Sequence, residues 1–293
     1  MSDGNSEDIG TVRSDGRFIM TILYSIIVVC LNAGERLQET VESITGQKFD
    51  NFEVVIKDGG SSDGSIEAIK KRYDADEKFH IYTQKDTGIY DAMNQAVKLA
   101  KGAYLLFLNA GDTFYDAYVL DRVTNQMTEW NNQGIKADIM YGNMYHKALN
   151  TVIYSYPEIN DFMCYRNVPC HQTCFYAREM FETRGYDTAY NVRADYEHFL
   201  WCVYEKKAKI VYLPLLIASY EGGGYSETRE NKKRSAKQHR EIVVRYMGRK
   251  KANKYRLIML LTLAPLRSAI ANNKCLSKVY NKVKTAVYKG KKS

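Results

Sequence analysis

Three aspartates follow short apolar runs. Asp58 comes after the run 52–57, Asp86 comes shortly after Phe79–Thr83, and Asp112 ends the turn Asn109-Ala-Gly-Asp112 that closes the run 103–108. An acid in such a place can hold a divalent metal against a phosphate or bond a ligand at the edge of a sheet. One turn aspartate by itself more often bonds its own backbone. A fourth acid, Asp195, opens a helical stretch whose apolar face includes Phe199, Leu200 and Val203. It can cap that helix and meet its dipole. Glu197, two residues on, points to a different helix face. His171 and Gln172 precede another apolar run, and the pair offers convergent donors and acceptors.

The elements that must position these groups are legible as alternating periods. Tyr24–Cys30 is a β-branched run, and Leu37, Val41 and Ile44 then recur at helical spacing. The run 52–57 and the loop Asp58-Gly-Gly-Ser-Ser-Asp-Gly-Ser65 follow, and Ile66, Ile69 and Tyr73 mark a second helix. A third strand at Phe79–Thr83, a helix opening near Asp86 and a fourth strand over 103–108 complete the pattern. Four strand–helix alternations predict an α/β fold with a doubly wound, mostly parallel sheet. Right-handed crossovers then bring all three acidic loops to one edge. Further strands are expected at 138–142, 151–155, 209–213 and 216–220, and a flexible loop at 222–226. No G-x-G-x-x-G follows the first strand, and no G-x-x-x-x-G-K-[ST] occurs. The acids and hydroxyls of the loop after Asp58 suit a base and ribose better than a phosphate cradle.

The net charge is +8, but 14 Lys and Arg and no acid lie after residue 241, which leaves the rest of the chain at −6. That balance argues against a nucleic-acid groove in the body and points to an anionic surface near the tail. The expected organisation is a disordered tail over 1–20, a catalytic domain over 21–248 and a basic amphipathic helical tail over 249–293. The apolar run 257–266 is about half of the ~20 residues needed to span a bilayer. The six cysteines include no C-x-x-C pair, and residues 1–18 lack the apolar core of a signal peptide. Free thiols in a reducing cytoplasm are expected. Cys164, Cys170, His171 and Cys174 fit no common zinc spacing.

The chain resembles the inverting nucleotide-sugar glycosyltransferases with the GT-A fold, in the branch that builds bacterial surface polysaccharides. The matching stretches are Ile26-Ile-Val-Val-Cys-Leu-Asn32, Val54-Val-Ile-Lys-Asp-Gly-Gly-Ser-Ser-Asp-Gly-Ser65, Asp86-Thr-Gly-Ile-Tyr-Asp-Ala-Met-Asn94 and Gly102-Ala-Tyr-Leu-Leu-Phe-Leu-Asn-Ala-Gly-Asp112, in order and in spacing. The resemblance covers roughly residues 22 to 225. It implies that Asp58 meets the nucleotide base and that Asp112 is the last acid of a metal-binding D-x-D motif for Mg²⁺ or Mn²⁺. It also implies that Asp195 is the general base. Asn32, Ser61, Asp86 and Gly88 complete the expected nucleotide site. Tyr90, Asp91, Asn94, Asn109, Gly111, His171, Gln172 and Ser226 are the expected donor and acceptor contacts. Gly111 stands where many members have a second Asp, and Met93 where many have an Arg. The implied reaction is transfer of a hexosyl or N-acetylhexosaminyl group from a UDP-sugar to a glycan or glycolipid acceptor. The implied place is the cytoplasmic face of the cell membrane, reached through the basic tail. A nucleotidyltransferase is a poorer match, because Leu31-Asn-Ala-Gly-Glu-Arg36 lacks the character of a phosphate loop. A catalytically silent membrane scaffold is favoured only by Gly111.

Overall fold

The computed structural model describes residues 10–12, 18–20, 22–222 and 228–262. Strands β1 (Gly10–Val12) and β2 (Phe18–Met20) pair as a small antiparallel ribbon, a departure from the disorder expected over 1–20. The body begins with β3 (Tyr24–Cys30), α1 (Glu35–Thr45), β4 (Phe52–Asp58), α2 (Ser65–Tyr73) and β5 (Phe79–Thr83). It continues with α3 (Ile89–Val97), β6 (Tyr104–Phe107), β7 (Thr113–Phe114) and α4 (Val119–Asn132). Next come β8 (Ile139–His146), β9 (Thr151–Ile153), α5 (Asp161–Arg166), a 3₁₀ turn (His171–Thr173) and β10 (Cys174–Ala177). The described chain ends with α6 (Glu179–Glu182), α7 (Ala194–Tyr204), β11 (Ile210–Tyr220) and α8 (Arg229–Leu261).

Every residue of β3 and β4 is buried, as strands covered on both faces require. Alternate side chains enter two cores. Ile26, Val28, Val54 and Ile56 pack with Leu37, Val41 and Ile44 of α1 and with Leu120 and Val123 of α4. Ile27, Val29 and Val55 face Met93 and Ala96 of α3, Phe199 and Leu200 of α7, and Ile242 and Val243 of α8. The main sheet runs β5-β4-β3-β6-β10-β8-β11-β7, with β9 paired to β8. Strands β5, β4, β3 and β6 are mutually parallel, and β11 is parallel to β8, while β10 is inserted antiparallel between β6 and β8. Cys30, Asp58 and Thr83 are in register, so the loops after β3, β4 and β5 leave one edge at the same level. The chain winds to opposite sides about β3, which makes that edge a topological switch point.

The second half departs from expectation in two places. The strands expected at 209–213 and 216–220 are one strand, β11, that passes through Pro214 with register shifts between Tyr212 and Leu216 and between Leu216 and Ala218. Pro214 has no N–H to give the ladder, so the pairing slips around it instead of ending. Helix α8 runs through the expected boundary at 248, but its backbone leaves helical geometry at Gly248 (φ 76°, ψ 157°). Beyond that break, Leu257, Leu260 and Leu261 are exposed. No helix is long and apolar enough to cross a membrane among the described residues. The rest of the expected tail, after Thr262, lies outside the described residues.

Gly102 joins the two halves of this frame. Its N–H bonds Ser25 Oγ at 2.8 Å, and a Cβ at this position would stand 2.5 Å from Ser25 N and 2.7 Å from Tyr24 C. Backbone cannot yield as a side chain can, so Gly102→Ala is expected to destabilise the fold by about 1–3 kcal/mol, as overpacking does. A urea midpoint equal to that of the unmodified protein would contradict the close approach.

Candidate active site

The loops after β3 and β4 are stitched to one another. Ser61 Oγ donates to Asp58 Oδ1 at 2.6 Å and accepts Asn32 N–H at 2.8 Å, while Asn32 Oδ1 accepts Ser62 N–H at 2.9 Å. Gly34 N–H donates to Asp63 Oδ2 at 2.8 Å. Asp58 is fully buried, and its carboxylate accepts the N–H groups of Gly60 and Ser61 at 3.1 and 3.0 Å. Its charge therefore shapes its own loop. Lys57 is buried beneath the loop and donates to Gln84 O, to Asp86 Oδ2 at 3.0 Å and to Asp58 O at 3.1 Å. Asp86 also accepts Gly88 N–H at 3.1 Å on its other oxygen. The ends of β4 and β5 and the entry to α3 are thus tied to one cation. The role of Lys57 was not assigned from the sequence, although a lysine inside an apolar strand is a visible signal.

Asp112 is buried at the end of the β6 turn. Its Oδ1 accepts Glu221 N–H at 2.9 Å, and its Oδ2 accepts the Gln172 side-chain amide. Thr40 Oγ1 fixes the turn by donating to Asp112 O at 2.7 Å and accepting Gly111 N–H at 2.9 Å. Burial pushes the Asp112 pKa up to about 6, against the lowering effects of Glu221 N–H and the nearby His171. Gly111 has φ +102°, where a side chain is strained, and a Cβ there would press on Arg36 Cδ at 3.3 Å. The turn geometry itself therefore explains why a second acid is missing. No group of three His, Cys, Asp or Glu able to hold a metal occurs among the described residues. The donor set fits an ion bound through one carboxylate and completed by phosphate oxygens and water, not an all-protein cage.

Asp195 sits at the first turn of α7 with its side chain 28% exposed. Tyr90 OH, from the first turn of α3, donates to Asp195 Oδ1 at 2.8 Å, and His171 Nδ1 lies 3.1 Å from Asp195 Oδ2. His171 Nε2 is 3.2 Å from the Asn109 side-chain nitrogen. In this amide orientation Nε2 accepts, so the imidazole proton is on Nδ1 and faces the carboxylate. Burial alone would raise the Asp195 pKa; the bonds from His171 and Tyr90 outweigh it and hold the group below the usual carboxylate value. Burial and the Asp195 charge push the Tyr90 phenol well above its ordinary value, so it stays a donor.

Several residues expected at the site are engaged elsewhere. Asn94 clasps Tyr186, donating to its carbonyl at 2.9 Å and accepting its N–H at 2.7 Å. Asp91 accepts Thr87 N–H at 2.9 Å and so ties the entry segment to the first turn of α3. Glu197 faces away from Asp195: it is fully buried, paired with Arg184 and bonded by Tyr246 OH at 2.5 Å. It fastens α8 to α7, which removes it as the rival base. Ser226 lies outside the described residues. Cys164 and Cys174 are buried free thiols, and Cys170 Sγ–H donates to Gln172 Oε1 at 3.0 Å.

The family described as "Glycosyl transferase family 2" matches residues 25–184, which carry the loops just described and His171 with Gln172. The chain belongs to glycosyl transferase family 2. A PGL/p-HBAD biosynthesis glycosyltransferase of Mycobacterium tuberculosis is 34% identical over 209 residues, covering 70% of this chain and 80% of the relative. An Escherichia coli UDP-Glc:alpha-D-GlcNAc-diphosphoundecaprenol beta-1,3-glucosyltransferase is 31% identical over 153 residues, covering 50% and 58%. The 1–349 portion of Staphylococcus aureus TarS superposes with a TM-score of 0.60 at 18% identity over 76% of this chain and 65% of that portion. A Pyrobaculum calidifontis mannosyltransferase in complex with GDP-Man and Mn²⁺ gives a TM-score of 0.58 at 14% identity, covering 88% and 84%. This family 2 chain is a glycosyltransferase with the GT-A fold, as the resemblance in its sequence implied.

Two expectations follow. Glu197→Gln is expected to cost on the order of 3 kcal/mol by leaving Arg184 without its counter-charge, measured by chemical unfolding; a change within 0.5 kcal/mol, typical of a surface site, would contradict the anchor. Asp112 binds its proton more tightly folded than unfolded, so its contribution to stability falls as pH rises from about 4 to about 6. The stability of Asp112→Asn relative to the parent should therefore rise over that window and level off above pH 7. A pH-independent difference in melting temperature would contradict it.

Proposed function

We propose that the protein transfers a sugar, with inversion, from a UDP-linked donor to a glycan acceptor in the synthesis of a cell-surface polysaccharide or glycolipid. The carrying observation is the Asp195 carboxylate, kept ionised by His171 and Tyr90 and open to a cavity. In the reaction Asp195 takes the proton of the acceptor hydroxyl as its oxygen attacks the anomeric carbon. The nucleoside diphosphate leaves from the opposite face, so one displacement inverts the centre. Asn32, Ser61 and the loop shaped by Asp58 receive the nucleoside, and Asp86 and Gly88 set the start of α3 beside it. Asp112 would hold Mg²⁺ or Mn²⁺. That ion would supply charge neutralisation to the departing diphosphate. Gln172 and Glu221 N–H each bond one Asp112 oxygen, which leaves a lone pair on each oxygen that would be available to the ion.

The names of similar proteins support this reading. TarS is described in complex with UDP and with UDP-GlcNAc, and the E. coli relative is a UDP-Glc transferase acting on a diphosphoundecaprenol-linked sugar. A lipid-linked acceptor at the cytoplasmic face of the membrane gives the basic tail a purpose. Leu257, Leu260 and Leu261 are exposed beside Arg256, and the 14 cations after residue 241 have no acid among them. A peripheral helix of that kind binds an anionic membrane surface.

Asp195→Asn is expected to keep donor affinity and lose transfer by at least about 10²-fold, the usual contribution of a general base. Product NMR on the unmodified enzyme should show the anomeric configuration opposite to that of the donor. Transfer by Asp195→Asn within a few fold of the parent, or a retained configuration, would remove Asp195 from this role.

A further inference from the structure

A cavity of about 710 Å³ opens beside Asp195, and none of its lining residues comes from the loops after β3, β4 or β5. Its walls come from β9 and the segment after it, from α5, and from the start of α7. Asp195 is the only acid among its lining residues, and two arginines line it as well, Arg166 and Arg193. Arg166 is exposed at the end of α5 and forms no ion pair or side-chain hydrogen bond among the described residues. Arg193 uses Nε to bond Ser235 Oγ at 2.7 Å, and its guanidinium lies over the Tyr196 ring with a centroid distance of 5.4 Å. Arg193 forms no ion pair among the described residues. Tyr154 and Tyr156 are 53% and 52% exposed, and neither ring stacks on another aromatic side chain among the described residues. Two unpaired guanidinium groups in a body of net charge −6 are an anion site, and bare tyrosine rings in a sugar-handling cleft are platforms for a pyranose face.

We propose that this cavity binds the acceptor as a glycoside carrying an anionic group, a phosphate or a carboxylate. The sugar lies against Tyr154 and Tyr156, the anion meets Arg166 and Arg193, and the accepting hydroxyl reaches Asp195. Placing the anion on the arginines also keeps it away from the Asp195 charge, so the same pair selects the acceptor and sets its direction. This inference rests on the glycosyltransferase reading of Asp195. Arg166 and Arg193 are specificity residues, since they hold the acceptor without touching the reacting atoms.

The test is saturation-transfer NMR and calorimetry with UDP and Mn²⁺ saturating the donor site. The probes are three sets of gluco, galacto, manno and N-acetylglucosamine sugars where each exists: the 1-phosphates, the methyl uronides and the neutral methyl glycosides. At least one charged set is expected to bind about tenfold or more tighter than its neutral counterpart, the scale of a charge-assisted contact. A preference for 1-phosphates identifies a sugar phosphate, and a preference for uronides identifies an acidic sugar. Arg166→Gln should erase most of that preference while UDP affinity is unchanged, and Arg166→Lys should restore part of it. Tyr154→Ala should weaken charged and neutral probes alike. Equal affinity of charged and neutral probes, no binding of any charged probe, or a preference that survives in both Arg166→Gln and Arg193→Gln would overturn the proposal. Loss of UDP binding in the unmodified protein would instead overturn the glycosyltransferase reading on which it stands.

Discussion

The structure depends on keeping one partly buried carboxylate charged. Asp195 has lost much of its water, and burial favours its protonated form. His171 and Tyr90 reverse that preference with two hydrogen bonds. Each partner comes from a separate element, and each element is fixed by a contact of its own. Tyr90 depends on the position of α3, which Asn94 clasps to Tyr186. His171 depends on Asn109 at the end of β6. Asp195 itself depends on α7, which the buried Glu197 pins to α8. A shift of any of these would change the charge at the cavity as well as its shape.

The donor half is organised by the opposite device, a buried cation. Lys57 reaches three acceptors on two strand ends and so levels the loops that follow β4 and β5. Asp58 then spends its charge on Gly60 and Ser61, and Asn32 joins the first loop to the second. At Asp112, Thr40 holds a tight turn in which Gly111 has a positive φ. That turn explains the departure from a two-acid motif in physical terms. The backbone favours a glycine at that φ, which leaves Asp112 as the one carboxylate of the turn.

The parallel half of the sheet was legible because its strands are continuous apolar runs and its helices show a 3.6 period. The register of Cys30, Asp58 and Thr83 then follows from the parallel topology. The second half was harder to read. The strands expected at 209–213 and 216–220 are continuous through Pro214, because the pairing slips around it. Polar site residues were legible as positions but not as directions. Asp58, Asp86 and Asn94 each have a partner distant in sequence or in their own loop, and hydrogen-bond direction is fixed only when the elements meet. Asp195 and Glu197 were separable because two helical residues so spaced cannot share a face. The fate of Glu197, an anchor for α8, had no local signal, since Arg184 and Tyr246 join it only through the fold.

The most direct test is calorimetric titration of the unmodified protein with UDP, with GDP as the comparison, each with and without Mn²⁺. The central claim is that the strand-edge loops form a metal-assisted nucleoside diphosphate site facing the Asp195 cavity. The expected result is one UDP per chain, bound more tightly with Mn²⁺ than without it, and loss of the metal effect in Asp112→Ala. Absence of nucleotide binding under every condition, or UDP affinity indifferent to both Mn²⁺ and Asp112, would contradict it.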